Sequence, residues 1–347
     1  MTFPFAAYVS CASGNEINVF QGDALSGSLE QIQSIGPAES GPGWKGRGLP
    51  LARSRDGTRL YASVIGLKDG VEEDRIDTYA IDPASAKLSF LSSTSVMAQF
   101  SHISIDRTGQ FLLGASVPAN LVAVYPLAPE GQVQVMPSCA LPNIIGAHQI
   151  LTDPSNRFAY VPSLHAHQVY AFRFDERTGG LMPNSPEAIH LQPGAGCRHG
   201  AFHPGRRFYY LLNERDGSLI ACRIDLATGQ LHEIMRDVHV GDTIEGRPWG
   251  AAIAVAPAGD RLYASERRGS TLAVWDIDPG SGLIANRRII ATAENPRGFA
   301  LTPNGRFLIL AALKADCLEV FDLAPSNALQ KQSTLSTGSE PGWVEII

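Results

Sequence analysis

Two short apolar runs joined by a tight Gly-containing turn recur about every fifty residues in this chain, and each copy is followed by a second hairpin. Four strands per copy at that period predict an all-β fold: a seven-bladed β-propeller of four-stranded antiparallel blades. The copies read LARSRDGTRLYAS from Leu51, ISIDRTGQFLLGA from Ile103, ILTDPSNRFAYVP from Ile150, GAFHPGRRFYYLL from Gly200, IAVAPAGDRLYAS from Ile253 and FALTPNGRFLILA from Phe299. A second hairpin is exemplified by LAVWDIDPGSGLI from Leu272. The turn anchors are Gly57, Gly109, Gly205, Gly259 and Gly305, with Asn156 in place of glycine once. Asn tolerates positive φ better than other side chains do.

Six copies are complete, and the seventh is split. AAYVSCASGNEINVF and LSGSLEQIQSI read as the outer three strands of a blade, and PGWVEII reads as an inner strand with nothing after it. The C-terminal strand, Trp343 to Ile347, is expected to pair with the N-terminal strands and close the ring without leaving a long open sheet edge. Residues 1–347 are then one propeller domain, although length alone would suggest roughly two or three ordinary domains. The segment LKDGVEEDR from Leu67 reads as an exposed loop.

Composition narrows the function. A formal charge of -6 and a pI near 5.8 argue against nucleic acid, which needs a basic face. No apolar stretch is long enough to span a bilayer, and MTFPFAAYVSCASG lacks the basic region and long apolar core of a signal peptide. Cys11, Cys139, Cys197, Cys222 and Cys317 are odd in number and show no paired metal spacing. The expectation is a cytoplasmic monomer with no cofactor, no metal, and neither a nucleic acid nor a membrane partner.

Antiparallel pairing places the residue before each inner strand on the same face as the turn after the second strand. Before the inner strands, seven or eight residues ahead of the anchors, stand His102, His148, Arg198 and Arg297. The copy from Ile253 has a longer approach and offers Arg247 and Trp249, while the first full copy offers only Pro50. After the second strands stand His165, Glu214, Arg267 and Lys314. One face therefore gathers several cations and one carboxylate around a narrow channel, which favours a small anionic substrate. His148 is a candidate acid or base near neutrality. The opposite end, with Arg59, Arg206 and Arg207, reads as solvated charge, and His167, His199 and His203 read as structural. Cys197, beside Arg198, reads as a small buried thiol rather than a nucleophile. His165 and His167 form an HxH pair that shares a face if it lies on a strand, but no third metal ligand is visible.

The segments AHQILTDPSNRFAYVP, GAGCRHGAFHPGRRFYYLLNE, LYASERRGSTLAVWDID and NPRGFALTPNGRFLILA resemble the seven-bladed propeller lactonase family. That family includes bacterial propeller-type 6-phosphogluconolactonases and, as a relative, the fungal carboxy-cis,cis-muconate cyclase. The resemblance runs over nearly the whole chain and is weaker before Leu51. It implies His148, Arg198, Glu214 and Arg267 as the active-site set. His102, Arg247, Arg297 and His165 remain as substrate-binding candidates, of which Arg247 and Arg297 match charged or neighbouring positions in such proteins. The approach GPGWKGRGLP, with Trp44, and the segment after Leu67 depart from the family pattern and leave the substrate open. The expected activity is hydrolysis of a sugar-acid lactone. Arg198 and Arg267 would hold the anion and Glu214 or His148 would activate water. A muconate-type cyclisation needs the same residue types and is the alternative; a non-catalytic binding module is the second alternative.

Overall fold

The computed structural model describes residues 4–36, 49–68, 71–241, 244–324 and 329–347. The segment holding Trp44 lies outside these. Seven four-stranded antiparallel sheets form the blades of a propeller. Blade 1 joins Pro341–Ile346 to Pro4–Cys11, Glu16–Asp23 and Leu29–Ile35. The inner strands of blades 2 to 7 are Leu51–Arg53, His102–Ile105, Leu151–Thr152, Cys197–Phe202, Gly250–Val255 and Pro296–Leu301. In blade 1, Ala7 faces Ile346 and Ser10 faces Trp343, so the expected closure of the ring is present.

The repeated turns are built by side chains that satisfy backbone donors. Asp106 accepts from Thr108 N, Gln110 N and Phe111 N at 2.8–2.9 Å, and Asp153 does the same for Ser155 N, Arg157 N and Phe158 N at 2.9–3.0 Å. Such local bonds favour a turn over continued strand. In blade 5 the role falls to His203, whose Nδ1 accepts from Gly205 N at 2.9 Å and whose Nε2 lies 2.8 Å from the Gly259 carbonyl. The left-handed residue there is Arg206, at φ 64°, and not the expected anchor Gly205. The turn counts from its capping residue, so the nearest glycine is not always the residue that bends.

The blades are locked to one another at their outer turns. A Cβ on Gly229 would lie 2.3 Å from the Phe158 ring, and one on Gly282 would lie 2.3 Å from the Phe208 ring. Tyr160 Oη and Tyr210 Oη donate to the Gly229 and Gly282 carbonyls at 2.7 and 3.0 Å. Each of these contacts runs from a second strand to the next blade, and the core is accordingly divided into clusters that bridge neighbouring sheets.

The segment after Leu67 is not the loop its polarity suggested. Arg59–Lys68 pairs with Val71–Ile81 as far as Lys68 opposite Val71. The strand reaches beyond the polar residues because backbone pairing between the two arms does not depend on side-chain type.

Candidate active site

The inner strands surround a cavity of about 770 Å³ whose wall includes His102, His148, Gln149, Arg198, His199, Arg297 and Trp343. Three strand starts that supply this wall are irregular. Register shifts fall between Cys197 and His199, between Gly250 and Ile253, and between Pro296 and Gly298. A bulge breaks the two-residue alternation of side chains and re-aims them. Arg198 and Arg297 sit at two of these bulges. The one at Arg198 also lets its neighbour His199 reach the same cavity.

The histidines form a contiguous aromatic group. Ring centroids of His148 and His199 are 5.0 Å apart, those of His102 and His199 5.8 Å, and those of His102 and Trp343 5.5 Å. Burial, reinforced by the Arg198 charge, pushes His102 down to about 3 and holds His148 and His199 well below the ordinary imidazole range. The Nδ1 atoms of His102 and His148 are buried and have no hydrogen-bond partner among the described residues. A buried polar atom left in that state favours a ligand that bonds to it.

Beside the cavity, one oxygen of Glu214 ties two guanidinium groups together. Glu214 Oε2 lies 3.0 Å from Arg198 Nε and 2.7 Å from Arg267 Nη2. Arg198 Nη1 also donates to the Ala251 carbonyl. Arg267 donates to the carbonyls of Trp249 at 3.2 Å and Gly250 at 2.9 Å, and its guanidinium lies 4.0 Å over the Trp249 ring. Burial pushes Arg267 down to about 10, opposed by the Glu214 charge, and burial with the Arg267 charge lowers Arg198. Two cations share one carboxylate, so the group keeps a net positive charge that a bound anion would relieve.

The expected residues thus divide. His102, His148, Arg198 and Arg297 line the cavity, and Glu214 and Arg267 brace Arg198 from behind. Arg247 is exposed and donates to the carbonyls of Arg215 and Gly194 at 3.3 Å. Lys314 is exposed and lies 3.6 Å from Glu294. His165 is exposed in the turn after the second strand of blade 4. The HxH pair does not lie on a strand: His167 occupies the same turn at φ 54°, and its Nδ1 accepts from Gly196 N at 3.1 Å. Cys197 is fully buried, and burial raises its thiol to about 12. His199, Gln149 and Trp343 line the cavity although the sequence reading placed none of them there; for His199 the missing signal is the bulge itself. Gln149 Oε1 accepts from Gly200 N at 2.6 Å and so fixes blade 4 to blade 5 beside Arg198.

A fold of seven antiparallel blades with a His- and Arg-lined axial cavity defines the class, and the family model for "Lactonase, 7-bladed beta-propeller" matches residues 6–346. The chain belongs to that family. Among curated relatives, proteins named 6-phosphogluconolactonase from Serratia proteamaculans (strain 568) and Pectobacterium carotovorum subsp. carotovorum (strain PC1) are 30% and 29% identical to it. They align over 345 and 342 residues, which is 98% of this chain and 98% of each relative. The structure of the periplasmic gluconolactonase of Pseudomonas aeruginosa superposes with a TM-score of 0.86 at 22% identity, covering 99% of both chains. Among the described residues no helix is long and apolar enough to cross a membrane.

Proposed function

We propose that this chain hydrolyses the lactone of a phosphorylated sugar acid, with 6-phosphogluconolactone as the expected substrate. The observation that carries the reading is the pairing of Arg198 and Arg297 with His148 on the wall of one cavity. The names of the curated relatives support the choice of lactone. Guanidinium forks suit a phosphate and also the oxyanion of an ester addition intermediate.

His148, held in the neutral form by burial and nearby cations, takes a proton from water as the water oxygen bonds to the lactone carbonyl carbon. Negative charge moves to the carbonyl oxygen and is met by a guanidinium group. The carbonyl then re-forms, the ring C–O bond breaks, and the ring oxygen receives the proton from His148. The products are one hydroxyl and one carboxyl group, with no other reactant consumed. Glu214 keeps Arg198 and Arg267 in place; its Oε2 is committed to both.

The test compares 6-phosphogluconolactone with unphosphorylated gluconolactone by proton release. Wild type should favour the phosphorylated lactone in kcat/KM by roughly tenfold or more, on the scale of 1.4 kcal/mol per factor of ten. Arg297→Gln should reduce that ratio. Equal turnover of both lactones, unchanged by the substitution, would remove phosphate from the proposal. Cytoplasmic action is part of the same reading, supported by five free cysteines, four of them buried.

A further inference from the structure

The inner strands carry the channel away from the active-site face to a second chamber of about 430 Å³. Arg53, Arg55 and Arg107 line it, with Glu345, His102 and Trp343 forming the wall it shares with the upper cavity. Arg53 ends the inner strand of blade 2, Arg55 lies in the turn that follows, and Arg107 occupies the corresponding turn of blade 3.

We propose that this opposite mouth is a second anion site, which takes the phosphate group of a small molecule. Three guanidinium groups converge on one small chamber in a chain whose formal charge is -6, so the local field opposes the global one. Among the described residues none of the three is in an ion pair, and neither Arg53 nor Arg107 makes a side-chain hydrogen bond. Arg55 is fixed at the rim by donating from Nε to the Asp106 carbonyl at 2.8 Å and from Nη2 to the Ile105 carbonyl at 2.5 Å.

The neighbouring carboxylates act on these arginines through their charge, Glu345 and Asp106 on Arg55 and Asp153 on Arg107, but the hydrogen bonds of Asp106, Asp153 and Glu345 go to other groups. Asp106 accepts from Thr108 N, Gln110 N, Phe111 N and Asn156 Nδ2, and Asp153 from Ser155 N, Arg157 N and Phe158 N. Glu345 accepts from Trp343 Nε1 at 3.1 Å, and burial raises its carboxyl above the ordinary range, opposed by that bond and by the charges of Arg53 and Arg55, so one carboxylate faces three guanidinium groups. The arginines also repel one another: partial desolvation first, then the charge of Arg107, lowers Arg55, and partial desolvation first, then the charge of Arg206, lowers Arg107, although both residues remain exposed at the mouth. A phosphate monoester carries about −1.5 to −2 charges at neutral pH and three acceptor oxygens, which matches several forked donors better than a single carboxylate does. The chamber volume suits a small molecule and not a polymer.

The test is calorimetric titration of the full chain with inorganic phosphate and, separately, with 6-phosphogluconate. Wild type and an Arg53→Gln/Arg107→Gln variant are compared, each also in an Arg297→Gln background that weakens the upper site. The proposal expects saturable binding that survives Arg297→Gln and weakens by about tenfold or more, 1.4 kcal/mol, when Arg53 and Arg107 are neutralised. The tighter of the two ligands identifies the source of the phosphate group. Lactone turnover by Arg53→Gln/Arg107→Gln should persist, which shows that this variant is folded. Absence of binding by either ligand in the Arg297→Gln background, or binding there indifferent to the Arg53 and Arg107 changes, would overturn the proposal.

Discussion

Three buried imidazoles, His102, His148 and His199, stay neutral where free histidine would begin to protonate, and this has consequences for both stability and rate. Their folded-state values are depressed, so between about 6.5 and the folded values the unfolded chain binds more protons. Stability is therefore full above about pH 6.5 and is lost as pH falls; for His102 the window runs from 6.5 down to about 3. Thermal melts should show a Tm that is flat above pH 7 and declines below 6, with His102→Gln reducing the decline. A Tm slope unaffected by that substitution would contradict the burial argument. Glu214→Gln removes the charge shared by Arg198 and Arg267, and breaking such a buried pair costs about 3–5 kcal/mol. Denaturant unfolding should show that loss; a change below about 1 kcal/mol would mean that solvent already screens the pair. At this scale the sequence was informative about Arg198, Glu214, Arg267 and Arg297, because their types recur at fixed offsets from a repeated turn. It was silent on His199, whose place follows from a bulge that no two-residue period reveals.

Among the elements, the bulged inner strands set the shape of the channel. Gly298 sits at the bulge of blade 7, where an added Cβ would lie 2.6 Å from the Gly342 carbonyl oxygen in the neighbouring inner strand. That obstacle is backbone, which cannot swing aside as a side-chain end can. Gly298→Ala should cost about 1–3 kcal/mol of unfolding free energy and also lower turnover, since Arg297 precedes it. Wild-type stability and rate in that variant would show that the two strands separate freely. The repeated strands and their second hairpins were legible from the apolar runs. The hairpin beyond Leu67 was not, because a strand pair with many charged residues has the composition of a loop. The blade 5 turn was legible only to within one residue, since His203 took the place of the usual acidic or hydroxyl cap.

The whole molecule depends on a closure between its two ends. Pro341–Ile346 is the inner strand of blade 1, contributes Trp343 to the cavity, and packs Val344 and Ile346 into the apolar cluster shared with blade 7. Deleting residues 341–347 should expose the edge of Pro4–Cys11 and greatly reduce the yield of soluble protein. Recovery of soluble, fully active protein after the deletion would contradict the closure. This architecture was readable because the chain begins with three strands of a blade and ends with one. The chemistry was readable only as a residue set. Which groups face the cavity and which brace it depends on hydrogen bonds that spacing does not encode. The most direct measurement is steady-state hydrolysis of 6-phosphogluconolactone by wild type and His148→Gln across pH 5 to 8. The account predicts that the substitution lowers kcat by about 10² to 10⁴ with little change in KM, while wild-type activity persists below pH 6.5 because His148 stays neutral there. A variant that retains wild-type kcat would contradict the assignment of His148 as the base.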